Sequence, residues 1–296
     1  MTMDAGALGI LGGSGLYEMP GLEDARERVV QTPFGAPSAP IVEARLGGRR
    51  LLFLPRHGRS HHLAAHEVNY RANVYALKAA GAAQVLSVSA VGSLRLALAP
   101  GHVVLVDQYI DRTRHRPSTF FEGVGVVVHA SLADPVDGSL RAALGAAAHA
   151  AGATVHERGT YVCIDGPQFS TRAESRLFQP LGCDVVGMTN LPEARLAREA
   201  ELPYASLCLV TDYDCWHEAE KPVEVATVLA QLRANATLAT EIVRRLVPHL
   251  PEASASAAAR ALDAALLTPV EAISQQARER LGVLLDRVLA GAGRRG

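Results

Sequence analysis

The feature that most narrows the fold is an alternation between two kinds of segment. Residues 8–11, 51–54, 84–89, 103–106, 160–164, 184–188 and 206–211 are short runs in which Val, Ile and Leu dominate, and they read as strands. Several of these runs are apolar on both faces, which suits strands covered by helices on either side. Between them, residues 68–80, 140–151 and 192–200 are Ala-rich and carry a helical period. Pro192 suits a first helical turn, and Gly81 and Gly152 suit the position just past a helix end. From Val225 onward, Val228, Leu229, Leu232 and Leu238 form an apolar stripe at helical spacing, whose ordinary role is core. The pattern predicts an α/β fold with a mostly parallel or mixed sheet. At 296 residues the chain suffices for one large α/β domain or two small ones.

Residues 251–256, Pro-Glu-Ala-Ser-Ala-Ser, read as a linker into a helical tail over 257–289. From Pro251 to the end the chain holds six Arg against five acidic residues, too little apolar material for a separate core. The expected division is therefore a body over 1–250 and a tail over 251–296 that packs on the body or on a neighbouring subunit.

Charge excludes one class of partner. With 29 Lys+Arg against 30 Asp+Glu the net charge is −1, whereas a sequence-independent nucleic-acid binder needs a basic excess. Only Lys78 and Lys221 are lysines; the arginine excess is the signature of a GC-rich genome. No apolar run approaches the roughly 18 residues of a membrane span. The first eight residues lack a basic region and carry Asp4, so no secretory signal is expected. Cys163, Cys183, Cys208 and Cys215 form no Cys-x-x-Cys pair. A cytoplasmic protein without disulfides or membrane contact is the expectation.

The residues that carry chemistry cluster at predicted strand ends, where open α/β sheets place ligands. Gly12-Gly13-Ser14-Gly15 follows the first strand; its glycines let backbone N–H groups approach an anion, and Ser14 adds a hydroxyl. Gly13-Ser14-Gly15 is followed by Leu16-Tyr17-Glu18, so the dinucleotide fingerprint fails, and no Lys stands at a P-loop spacing. Pro55-Arg56-His57-Gly58-Arg59-Ser60-His61-His62 offers a guanidinium fork suited to phosphate, although a surface basic turn has the same composition. His61, His62 and His66 complete no metal-ligand spacing, and no metal is expected. Ser87–Ser93 is another small-residue strand end, and Asp165–Ser175, Gly187–Glu193 and Thr211–Trp216 mix hydroxyls, an aromatic or Met, and acids. In isolation Phe169 and Met188 would be core, and Asp212 and Asp214 would be caps or turn residues.

Six segments occur together in one order: Gly12-Gly13-Ser14-Gly15-Leu16, Arg56-His57-Gly58-Arg59, Val68-Asn69-Tyr70-Arg71-Ala72-Asn73, Asp107-Gln108-Tyr109-Ile110-Asp111-Arg112-Thr113, Gly166-Pro167-Gln168-Phe169-Ser170-Thr171-Arg172-Ala173-Glu174-Ser175 and Thr211-Asp212-Tyr213-Asp214-Cys215-Trp216. On these motifs, from about Leu8 to about Pro248, the chain resembles the 5′-methylthioadenosine phosphorylases, a trimeric branch of the purine nucleoside phosphorylase family. The resemblance implies a single α/β domain with a central mixed β-sheet flanked by helices. It implies phosphorolysis in purine and methionine salvage, in which inorganic phosphate, a co-substrate, displaces a purine from C1′ of a ribosyl group with inversion. No cofactor is implied, and the implied assembly is a homotrimer or a dimer of trimers. Carried over by position, Ser14, Arg56, His57, Ala90 through its backbone, and Thr189 would hold phosphate. Phe169 and Met188 would line ribose and base, with Ser170 near Asp212 and Asp214 at the purine. Val225, Val228 and Leu229 would wall the 5′ substituent, and His129 would be donated by a neighbouring subunit.

The residue types suit that chemistry. Cleavage of C1′–N9 passes through an oxocarbenium-like state, so a carboxylic acid at N7, expected at Asp212 with a pKa raised by partial burial, neutralises the leaving purine. A carboxylate also accepts from a 6-amino group, whereas a 6-oxo group would be left unpaired at about 1–3 kcal/mol. That favours 5′-methylthioadenosine over a 6-oxopurine nucleoside. An apolar 5′ wall leaves a 5′-halo-5′-deoxyadenosine open as an alternative.

Overall fold

The computed structural model describes residues 6–217 and 225–292, with Ser14, residues 225–230, Leu232 and Ala292 described by backbone alone. Eleven strands are present among the described residues: β1 Ala7–Gly12, β2 Glu23–Arg28, β3 Ile41–Leu46, β4 Arg49–Pro55, β5 Ala82–Ser93, β6 Val103–Val104, β7 Gln108–Asp111, β8 Val155–His156, β9 Thr160–Cys163, β10 Val185–Gly187 and β11 Tyr204–Asp212. The α-helices are α1 Tyr70–Ala79, α2 Gly138–Ala150, α3 Arg172–Phe178, α4 Asn190–Glu199, α5 Val225–Leu246, α6 Gln275–Leu281 and α7 Asp286–Ala292.

The sheet is mixed. Its order runs β2-β3-β4-β1-β5-β10-β9-β7, and β11 joins β5 and then β6, which pairs β8. Strands β4, β1, β5 and β11 run parallel, in the register Gly9↔Leu52, Gly9↔Val85 and Tyr204↔Val85. Their C-terminal ends therefore open on one edge. The long β5 turns away there: its last residues, Gly92 and Ser93, pair antiparallel with β10. Hairpin strands β2 and β3 extend the far edge antiparallel; β2 is polar and exposed throughout, which is why apolar patterning does not announce it.

Period-2 alternation divides the core into two layers. Leu8, Ile10, Leu51 and Phe53 face α2 and α5, while Ala7, Leu11, Leu52 and Leu54 face α1, α4 and the C-terminal segment. The predicted helix ends are well marked. Gly81 (φ +96°) and Gly152 (φ +80°) leave α1 and α2 in the left-handed region. Leu191 is extended inside α4, so the regular helix starts at Pro192, whose ring presets the first-turn φ. Helix α3 opens on a capping box in which Thr171 and Glu174 each bond the other's backbone N–H.

The expected helical tail takes the form of short helical turns ending in α6 and α7. Pro269 and Gly282 (φ +45°) interrupt any longer helix. Leu262, Ala265, Ile273, Ala277, Leu281 and Leu285 are buried in the same core layer as α1 and α4. Arg287 reaches buried Glu201 at 2.6 Å and Asp263 at 2.7 Å. No helix among the described residues is long and apolar enough to cross a membrane.

Candidate active site

A cavity of about 690 Å³ opens where the parallel strands end. That volume suits a small-molecule site. The turn after β1, the Arg56–His57 turn after β4, the end of β5, the 164–170 loop, the turn after β10 and the end of β11 all contribute to its wall. All six of the strand-end clusters singled out by sequence thus meet in one place, four of them because their strands are parallel neighbours.

At one end sits Arg56, 2 % exposed. Its fork is already engaged: Nε donates to Glu193 Oε2 at 2.7 Å and Nη2 to Glu193 Oε1 at 3.1 Å. Nη2 also donates to Ser87 Oγ at 2.7 Å and to the Leu11 carbonyl at 3.1 Å, and Nη1 to the Val88 carbonyl at 3.3 Å. The sequence expectation of an open planar fork is corrected here, since a guanidinium has five N–H groups and one on Nη1 is what remains for an anion. Burial alone would lower the Arg56 pKa; the charge and hydrogen bonds of Glu193 outweigh it and hold the guanidinium above its ordinary value.

His57 lies beside Arg56 and stacks on His61 with ring centroids 4.4 Å apart. Its Nδ1 is 2.9 Å from the Leu63 carbonyl, an acceptor only, so Nδ1 carries a proton and Nε2 is the free nitrogen. Burial, and then the Arg56 cation, push its pKa down to about 4 against the partial opposition of the Leu63 bond. His57 therefore stands neutral near pH 7. Ala90 is exposed on the cavity wall, and Thr189 Oγ1 lies 3.2 Å from Ser89 Oγ.

Behind this end runs a buried polar network. Ser89 donates to Asn190 Oδ1 at 2.9 Å; Asn190 Nδ2 donates to Ser206 Oγ at 2.5 Å and to the Tyr204 hydroxyl at 3.2 Å; Tyr204 donates to Glu193 Oε1 at 2.9 Å. The Thr189 amide donates to the Tyr161 hydroxyl at 3.2 Å. Gly187 makes room for that hydroxyl, because a Cβ there would lie 2.1 Å from it.

At the other end, Phe169, Ser170, Met188, Asp212 and Asp214 line the wall. Met188 packs its sulfur on Gly166, where a Cβ would come within 2.5 Å and φ is +68°. Asp212 Oδ2 accepts from the Thr211 hydroxyl at 2.6 Å and Oδ1 from the Asp214 amide at 2.8 Å. Asp214 is the deeper carboxylate, 7 % exposed, and takes a hydrogen bond from the Ser175 hydroxyl. Burial pushes the Asp214 carboxyl up, the Ser175 and Cys215 donors offset part of that, and the Asp212 charge adds to it. The Ser170 hydroxyl faces the same carboxyl but has no well-formed hydrogen bond.

Arg116 ties the loops of this end together. Nη1 donates to the Met188 and Leu191 carbonyls, each at 2.8 Å, and Nη2 to the Asp165 carbonyl at 2.7 Å. The guanidinium also sits over the Tyr70 ring.

Arg56, His57, Ala90, Thr189, Phe169, Ser170, Met188, Asp212 and Asp214 are thus brought together. The side chains of Ser14, Val225, Val228 and Leu229 lie outside the described residues. His129 is exposed and away from the cavity wall; its amide donates to the Ala265 carbonyl at 2.8 Å. Arg59, though inside a motif, forms a surface pair with Glu27 at 2.6 Å. Asn190 and Glu193 lie in a segment that the sequence singles out without giving them a role, and nothing in the sequence points to a role for Tyr204, Tyr161 or Arg116 at this site. An acid following Pro192 in an apolar helix start was a usable signal for Glu193; nothing distinguishes Arg116 within the run Arg112, Arg114, Arg116.

Comparison with known proteins bears on the same region. A model of the phosphorylase superfamily matches residues 7–248. The S-methyl-5′-thioadenosine phosphorylase of Geobacter sulfurreducens is 51 % identical over 278 residues, covering 94 % of this chain and 97 % of that one. The protein of the same name from Bradyrhizobium diazoefficiens is 47 % identical over 292 residues, 98 % and 100 % of the two chains. Among solved structures, a methylthioadenosine phosphorylase from an antarctic soil metagenomic library superposes with a TM-score of 0.90 at 47 % identity, covering 96 % and 100 %. The Schistosoma mansoni methylthioadenosine phosphorylase in complex with adenine gives 0.76 at 39 %, covering 82 % and 91 %.

Proposed function

The chain belongs to the phosphorylase superfamily, and from that premise we propose that it cleaves 5′-methylthioadenosine with inorganic phosphate to adenine and 5-methylthioribose 1-phosphate. The observation that carries this is the pairing, in one cavity, of a recessed arginine–histidine–threonine end with an aspartate pair about a nucleoside-sized space. Relatives similar over nearly the whole chain carry the name of that activity.

Phosphate rests against Arg56, His57, Thr189, the Ala90 backbone and the glycine turn bearing Ser14. The ribose packs on Met188 and the base on Phe169 beside Ser170; the family resemblance assigns the 5′ methylthio group to Val225, Val228 and Leu229, whose side chains lie outside the described residues. A C1′–O bond to phosphate forms on one face of the sugar as C1′–N9 breaks on the other, and the bonding pair leaves with the purine. The Asp212–Asp214 pair supplies a proton at N7 and accepts from the 6-amino group. Asp212 is the expected donor at N7, and burial, which pushes the Asp214 carboxyl up, makes its neighbour a second carboxyl able to hold that proton. The acid contributes about 10²–10⁴-fold. The reaction needs no metal or organic cofactor, and phosphate is the co-substrate.

His129 fits the role of a residue lent to a neighbouring subunit in a homotrimer. It is exposed beside Val127 and Leu267, which are 48 % and 59 % exposed and joined by a hydrogen bond from the Leu267 amide. Free cysteines, three of them buried, suit a cytoplasmic salvage enzyme. Incubating the protein with 5′-methylthioadenosine should release adenine when phosphate is present and not in its absence. No release with phosphate present would overturn the assignment.

A further inference from the structure

Charge, rather than contact, is the unusual property of the Arg56 end. The one buried cation that borders it is matched, atom for atom, by a buried carboxylate: Nε–Oε2 at 2.7 Å and Nη2–Oε1 at 3.1 Å, with Glu193 itself 1 % exposed. Glu193 stands in the first turn of α4, where the helix N-terminus favours an anion, and Tyr204 donates to the same oxygen that Nη2 uses. The pair sums to zero, and His57, the next group along the wall, is neutral near pH 7. The Thr189 hydroxyl and the Ala90 and Gly13–Gly15 backbone add uncharged donors, while the ionisable groups beyond His57 on this wall, His61, His62 and Glu67, are exposed to solvent.

Resting on the phosphorolysis reading above, we propose that Glu193 is a positioning residue that cancels the Arg56 charge, so that bound phosphate is oriented by neutral donors and keeps its negative charge for the ribosyl cation. Two physical consequences oppose one another. A free guanidinium would bind the anion more tightly, because unit charges a few ångströms apart in a partly dry site attract strongly. The same attraction would draw the anion's charge away from C1′, and only interactions stronger in the transition state than in the ground state raise turnover. Glu193 trades ground-state affinity for turnover. It also fixes the plane of the guanidinium, so the one remaining Nη1 N–H has a set direction.

The test is Glu193→Gln, which keeps shape and one hydrogen bond to Arg56 while removing the charge. Phosphate binding is measured by calorimetry without nucleoside, and kcat and the phosphate KM with 5′-methylthioadenosine. Phosphate should bind about tenfold more tightly, while kcat falls at least about tenfold. A purely structural role would weaken binding and turnover together, and weaker phosphate binding in this variant overturns the proposal. Should Glu193→Gln not fold, Arg56→Met is compared with the double variant Arg56→Met/Glu193→Met, since a buried ion pair often tolerates joint apolar replacement. The single variant leaves a bare carboxylate facing the anion and should lose about 100-fold or more in phosphate affinity, with the double variant recovering most of it. Equal losses in the two overturn the proposal. Because binding is read without nucleoside, it decides the charge claim even if the wild type releases no adenine, a result that removes the substrate assignment alone.

Discussion

The Arg56 end and the Asp214 end of the cavity share one opening yet are constructed differently. Arg56, Ser87, Ser89, Asn190, Glu193, Tyr204 and Ser206 are buried, and none of them has a buried polar side-chain atom without a partner among the described residues. At the Asp214 end, Phe169 is 58 % exposed, the Ser170 hydroxyl and Asp165 Oδ1 have no well-formed hydrogen bond, and one guanidinium holds the carbonyls of Ile164, Asp165, Met188 and Leu191. The contrast suits the two ligands proposed for these ends. A small tetrahedral anion has a fixed shape that a rigid, fully paired polar core can meet in advance. A nucleoside is large, planar at one end and variable at the other, and it has to enter past groups that meet solvent when the site is empty.

If the two ends are separable in this way, each should respond to its own perturbation. The largest expected effect is at the purine end. Asp214→Asn keeps an N–H that can bond N7 but has no proton to transfer, so kcat should fall by about 10²–10⁴-fold. Phosphate affinity measured by calorimetry should be unchanged; a matching loss of phosphate affinity would show that the ends act as one unit.

The next effect belongs to the phosphate end and is read as stability. His57 has its pKa depressed from 6.5 to about 4, so the unfolded chain binds that proton more tightly than the folded one. The contribution is fully present above 6.5 and is lost as pH falls toward about 4. It amounts to at most about 3 kcal/mol by linkage. Urea unfolding followed between about pH 7 and about pH 4 should show this loss, and His57→Gln should flatten that part of the profile. An unchanged slope would mean that the imidazole is wetter than its setting against Leu63 and His61 indicates.

The smallest effect is at the mouth. Phe169→Ala removes an exposed ring that packs on nothing in the core, so the melting temperature should hold. The nucleoside KM should rise by about 2–10-fold, the worth of an aromatic stacking contact. A lower melting temperature would place Phe169 in the fold rather than the site.

Much of this was legible along the chain. Strands apolar on both faces announced the central parallel strands, the glycines past α1 and α2 marked their ends, and the strand-end clusters located the cavity wall. Strand β2 was not, because its exposed residues, five of them charged, carry no burial signal, nor were the breaks at Pro269 and Gly282 that divide the helical tail into short turns. Arg56 stands at the cavity wall as its strand-end position implies, but its fork is largely engaged by Glu193, Ser87 and the Leu11 carbonyl. Glu193 lies 137 positions away, a distance that no local pattern spans.

By itself, the sequence determined what each segment is made of: period, caps, turns and the residue types at strand ends, all of which follow from chemistry within a few residues. Only the tertiary structure decided how those groups are charged and oriented. Glu193 neutralises Arg56, Arg116 fastens four carbonyls, and Asp214 rather than Asp212 takes the deeper burial. Each of these depends on which distant groups share a low-dielectric interior, where electrostatic and hydrogen-bond energies are set by neighbours in space.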